Sequence, residues 1–113
     1  MLYRIDSFNL PEAARPEFER RARETLALLR QQPGFVRHLW FEKVSGDGSV
    51  NVVTMAEWQD EASIRSARQA VHAMQAATGF DAAAFTRSQG IVESKAVYEL
   101  RDAAKGVTES GLR

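Results

Sequence analysis

The chain has 113 residues, 15 of them basic and 15 acidic, so its formal net charge is zero. That length admits one small domain, and the balanced charge leaves no electrostatic footprint for nucleic acid or an anionic membrane. No cysteine is present, which excludes disulfides, thiolate chemistry and sulfur-ligated metal sites. The amino terminus places Arg4 and Asp6 where a signal peptide needs its apolar run, and no stretch approaches the roughly 20 apolar residues of a membrane span. A soluble, cytoplasmic protein with neutral or apolar small-molecule partners is the expectation.

In chain order, residues 2–8 read as a strand ending at Asn9, with Tyr3, Ile5 and Ser7 on one face and Arg4, Asp6 and Phe8 on the other. Pro11 then opens a helix whose apolar positions Phe18, Ala22, Leu26 and Leu29 recur every three to four residues, and Pro33-Gly34 stops it. Residues 35–44 and Val50–Trp58 are β-rich runs separated by Ser45-Gly46-Asp47-Gly48-Ser49, a composition that supplies the positive φ angles of a hairpin turn. Asp60 is placed to cap a second helix with Ile64, Ala67, Val71 and Met74 on one stripe, running to about Thr78 before Gly79. A helical turn over residues 81–87 and a last strand over residues 91–100 follow. Residues 101–113 are polar without an apolar period and read as a loose tail, leaving one domain over residues 1–100.

Two strand-helix units around a central hairpin give an α+β, ferredoxin-like βαββαβ fold, with a four-stranded antiparallel sheet and both helices on one face. The strands nevertheless carry apolar residues on both sides: Phe35, Leu39 and Phe41 against Val36 and Trp40, for example. With no further element in the chain to cover the second face, a homodimer is expected.

The ordered set Tyr3-Arg4-Ile5-Asp6, Gln32-Pro33-Gly34-Phe35, a hairpin, Val53-Thr54-Met55-Ala56-Glu57-Trp58 and a capped helix resembles the antibiotic biosynthesis monooxygenase (ABM) domain, a family of dimeric α/β barrels. The resemblance implies a cavity between sheet and helices that holds an aromatic ligand. Members of that family include cofactor-free oxygenases of aromatic polyketides, quinol monooxygenases and heme-degrading enzymes, along with many proteins of unassigned role, so the resemblance leaves the activity open. Trp58 matches the pocket tryptophan of the polyketide-oxidising members; it is equally a strand-end aromatic that packs beneath the next helix. Where those members carry an asparagine and a tyrosine around it, this chain has Thr54 and Ile64. The positions that carry asparagine, tryptophan and histidine in heme-degrading members hold Ser7, Ala67 and Ala77, with His72 the helix-borne alternative and Arg68 and Arg65 one and two turns before it.

His38 alternates with Val36 and Trp40, so it faces either a partner sheet or the ligand cavity, as a hydrogen-bonded interface residue or as a general base. Arg4 and Asp6 share a face and are expected to form a surface pair, or else a buried pair or a polar end to the pocket. There is no dinucleotide fingerprint, phosphate loop or histidine-carboxylate spacing for a metal, so no cofactor and no metal are expected. The site read from the sequence has Trp58 shaping the pocket, Thr54 orienting a substrate oxygen and His38 as base. Strand positions 54, 56 and 58 share a face, and Ala56 leaves room for a flat ring against Val71, Met74 and His72 of the second helix. The expected function is a cofactor-independent monooxygenase of anthrones or quinols; a non-catalytic binding module and a heme-binding protein are the alternatives.

Overall fold

The structure, a computed structural model, describes residues 1–43, 46 and 48–106. Strand β1 (Leu2–Leu10) is followed by a 3-10 turn (Glu12–Ala14) and helix α1 (Arg15–Leu29), then by the hairpin strands β2 (Phe35–Glu42) and β3 (Val50–Trp58). Helices α2 (Glu61–Thr78) and α3 (Ala82–Ser88) precede the last strand β4 (Val92–Glu99). The sheet order is β2-β3-β1-β4 with every neighbouring pair antiparallel. This is the ferredoxin-like α+β arrangement expected from the alternation of elements.

β1 runs to Leu10 rather than ending at Asn9, because Asn9 and Leu10 pair with Asn51 and Val50 and the ladder outlasts the polar residue. Pro11 does not open the α-helix; it precedes the 3-10 turn, and Pro16 occupies the first turn of α1, where a missing N–H costs nothing. β2 stops at Glu42, and the expected strand end Val44, with Ser45 and Asp47 of the turn, lies outside the described residues. Gly48 has the positive φ, 96°, that the turn composition anticipates. Asp60 accepts from the Ser63 N–H at 2.8 Å and hydroxyl at 2.7 Å to cap α2, which ends on Gly79 at φ 71°. Residues 101–106 carry neither helix nor strand, and the rest of the expected tail, residues 107–113, is outside the described residues.

All three helices lie on the sheet face that carries Leu2, Phe8, Leu10, Val52, Ala56 and Trp58. The core there is divided. One cluster gathers Leu10, Phe18, Val50, Val52 and Ile91, with Phe8, Trp40 and Phe85 against it. The other joins Ala56 and Trp58 of β3 to Ile64 and Ala67 of α2, with Leu2, Leu29 and Phe35 around them. Between them the register places two rows across the sheet, His38–Ala56–Arg4 and Trp40–Thr54–Asp6. Side chains on β1 facing the helices therefore run Leu2, Arg4, Asp6, Phe8, Leu10, with two charges in the middle.

Candidate active site in the divided core

Those two rows floor a cavity of about 360 Å³, walled by α1, α2, α3 and the start of β4. Its buried end is apolar: Trp58 is 2% exposed and meets Phe35 edge to face, with ring centroids 5.4 Å apart, a contact worth about 0.5–1.5 kcal/mol beyond its area. Ile64 and Ala67 close over it. On the other side Phe18 stands edge-on to Phe8 at 4.9 Å and to Trp40 at 6.1 Å. Aromatic and aliphatic walls around a few polar groups are the usual make-up of a small-molecule pocket.

The polar groups sit on the floor. Adjacent strands are about 4.8 Å apart, so the small Ala56 separates His38 on one side from Arg4 on the other by two strand spacings. Arg4 Nε donates to Asp6 Oδ1 at 2.8 Å, the two side chains being 25% and 20% exposed. Thr54 lies between Trp40 and Asp6, and among the described residues its hydroxyl has no hydrogen-bond partner. His38 is half-buried with its ring 6.5 Å from that of Trp40. Its pKa is held below the ordinary imidazole value by burial first and by the positive charges of Arg30 and Arg23 next, against the pull of Asp6. Arg23 itself rests over the Trp40 ring at 4.9 Å.

Of the residues singled out from the sequence, His38, Thr54, Ala56, Trp58, Val71 and His72 all line this one cavity. Met74 does not; it is half-buried elsewhere on α2. Arg4 and Asp6 are a pair facing the cavity rather than a surface pair, because the strand face they share is the one beneath the helices. Ser7 belongs to the opposite sheet face, between Val53 and Ser94, and Ala77 is exposed and outside the lining, whereas Ala67 is buried within it. Arg65 is exposed and paired with Glu61, leaving Arg68 beside His72 at the cavity. Trp40, Phe18 and Arg68 are wall residues that the sequence reading did not place there. The available signal for Trp40 was its alternation with His38. Among the described residues no three histidine, cysteine, aspartate or glutamate side chains stand together as a metal ion would require.

The profile of the antibiotic biosynthesis monooxygenase family matches residues 1–79. No curated protein matches the chain. Among solved structures, it is similar to SnoaB, a cofactor-independent oxygenase from Streptomyces nogalater, at 24% identity and TM-score 0.65 over 90% of this chain and 95% of that one. It is also similar to MhuD, a heme-degrader from Mycobacterium tuberculosis solved with two hemes in its active site, at 20% identity and TM-score 0.60 over 93% of this chain and all of the other. A de novo designed protein, Foldit4, shares the fold at 10% identity and TM-score 0.56 over 89% of this chain. Likeness of this degree speaks for the backbone alone.

Proposed function

Because the chain belongs to the antibiotic biosynthesis monooxygenase family, we propose that it is a cofactor-independent monooxygenase, oxidising an electron-rich aromatic of the anthrone or quinol type between the sheet and the helices. The observation that carries this reading is the row His38–Ala56–Arg4: a titratable base and a cation flank a gap one small side chain wide, on the floor of an apolar cavity.

A flat ring lies over Ala56 with Trp58 and Val71 as walls. His38 is neutral at neutral pH, since burial and Arg30 and Arg23 depress its pKa, and it accepts a proton from the substrate's activated methylene or phenol. The anion that results is stabilised by Arg4, whose charge is fixed in place by Asp6, while Thr54 donates to a ring oxygen. That anion passes one electron to O2, and the superoxide and substrate radical combine into a peroxide. His38 returns its proton to the peroxide, and loss of water leaves a carbonyl: one methylene and one O2 become one C=O and one H2O. The substrate supplies every electron. The dry walls keep water from the radical pair.

The match to the family profile supports the class of reaction, and SnoaB, which shares the fold, is described as cofactor-independent. The test is oxygen uptake with hydroxylated anthrones and quinols by the wild type, Trp58→Phe and Ala56→Phe. Uptake by the wild type, weakened in Trp58→Phe and abolished in Ala56→Phe at a stability cost of about 1–3 kcal/mol from overpacking, is the expected result. Binding without uptake on any of these substrates would make the cavity a binding module instead. Full activity in a folded Ala56→Phe would move the site elsewhere.

A further inference from the structure

Arginines on the helices of this protein are, for the most part, neutralised by a carboxylate one turn away. Arg15 meets Glu12 and Glu19, Arg20 meets Glu17 and Glu24, Arg21 meets Glu17, and Arg65 meets Glu61. Among the described residues Arg23, Arg68 and Arg87 depart from this pattern, and of these three Arg68 is the one that lines the cavity. The residues three and four positions away on either side are Arg65, Ile64, Val71 and His72, none of them acidic, and among the described residues Arg68 has no ion pair or hydrogen bond. It nevertheless lines the cavity, and so do His72 and Gln75, which follow it up the same face of α2.

The other charges of the cavity are already matched. Arg4 is held by Asp6 at 2.8 Å and Lys95 by Glu93 at 3.4 Å. Arg21 has Glu17 at 3.4 Å, although its buried Nε makes no hydrogen bond among the described residues, and its guanidinium carbon stands 3.9 Å from the centre of the Phe80 ring. Arg68 is thus a surplus cation on the exposed side of a pocket in which Trp58 and Ile64 are buried. The chain as a whole has no net charge, so the excess is local to the site.

We propose that Arg68 and His72 form a carboxylate subsite, and that the aromatic taken by this cavity carries an acidic substituent on the edge remote from Ala56. The proposal rests on the reading of the cavity as an aromatic pocket and adds the chemistry of the ligand's outer end. A guanidinium presents paired N–H donors that match both oxygens of a carboxylate, and an imidazole N–H one helical turn away adds a third. Ile64, Ala67 and Val71, on the adjoining stripe of α2, cover the ring that joins the acid to the floor. An amphiphilic ligand of this kind would be oriented by its acid, with its electron-rich carbon directed at His38.

Two unreactive probes that differ in one group test this: a dihydroxyanthraquinone and the same ring system bearing a carboxylate, with binding read from tryptophan fluorescence. The wild type should bind the carboxylate at least about tenfold more tightly, a difference of about 1.4 kcal/mol. In Arg68→Gln that preference should fall to about twofold or less, and Arg68→Lys, which restores the charge without the fork, should recover part of it. The preference should also shrink as salt is raised, since the subsite is exposed. Equal binding of the two probes by the wild type overturns the subsite and leaves the aromatic cavity standing, as does a preference that survives in the Arg68→Gln, His72→Gln double variant. Failure of the wild type to bind either probe removes the aromatic cavity itself and the subsite with it.

Discussion

His38 is the base of the proposed reaction, and its environment makes a prediction about pH. Burial and the positive charges of Arg30 and Arg23 make it release its proton more readily in the folded protein than in the unfolded chain. Between the depressed folded pKa and the ordinary value of 6.5 the unfolded chain holds more protons, so stability rises with pH across that interval and is level above it. The wild type should therefore lose thermal stability as pH falls below about 6.5, and His38→Gln should flatten that decline. Oxygenase activity, if His38 is the base, should hold through neutral pH and fail on the same acid limb. An imidazole NMR titration of His38 with its midpoint at or above 6.5 would contradict both. How legible this site was depends on the residue. Thr54, Ala56 and Trp58 could be grouped from strand alternation alone, because a period of two needs no partner. Arg4 and Asp6 could not be assigned to the cavity that way, since charges on a strand ordinarily mark the wet face; only the register with Thr54 and Ala56 puts them under the helices.

At the scale of elements, the joint between α1 and β2 is the most constrained. Gly34 has φ 85°, its carbonyl accepts from the Gln59 N–H at 2.9 Å, and a side chain on it would run into Ser63 in the first turn of α2. Gly79, at the other end of α2, has φ 71° but open space around it. Left-handed backbone alone costs a residue with a Cβ about 1–2 kcal/mol. Gly79→Ala should lose about that much in urea denaturation, and Gly34→Ala clearly more, because Ser63 and with it the Asp60 cap must shift. Equal losses at the two positions would show that Ser63 yields freely. Both glycines, and the elements they bound, were readable in the sequence because caps and breakers act locally. The division of the core was not. It arises where β1, β2 and β3 lie side by side, and helical periodicity on α1 and α2 looks the same whether the stripe meets a packed core or a cavity.

The whole molecule leaves one side of its sheet without a helix. That face carries Ile5, Leu39, Val53 and Met55 beside Phe41 and Tyr98, the last two each 51% exposed. Among the described residues the buried charge of this face is Glu57, at 8% exposure, held by Arg37 at 2.8 Å and by the Tyr3 hydroxyl at 3.3 Å. Apolar side chains gathered on an uncovered sheet face mark an interaction surface, and covering them regains about 25 cal/mol for each Å² of apolar surface removed from water. A second copy fits the chemistry of the face better than an unlike partner does. Under two-fold symmetry each patch meets its own equivalent, so apolar rows meet apolar rows, and the already neutralised Glu57–Arg37 pair need not find a counter-charge across the interface. Light scattering at micromolar concentration should therefore give twice the mass of the chain. Met55→Arg, which places an unpaired charge in the middle of the face on β3, should shift the equilibrium to monomer and lower the thermal midpoint. Because Met55 points away from the helices, the cavity floor is untouched in that variant, and ligand binding should survive wherever the monomer remains folded. A wild type that scatters as a stable monomer would remove the dimer and would require another cover for the sheet.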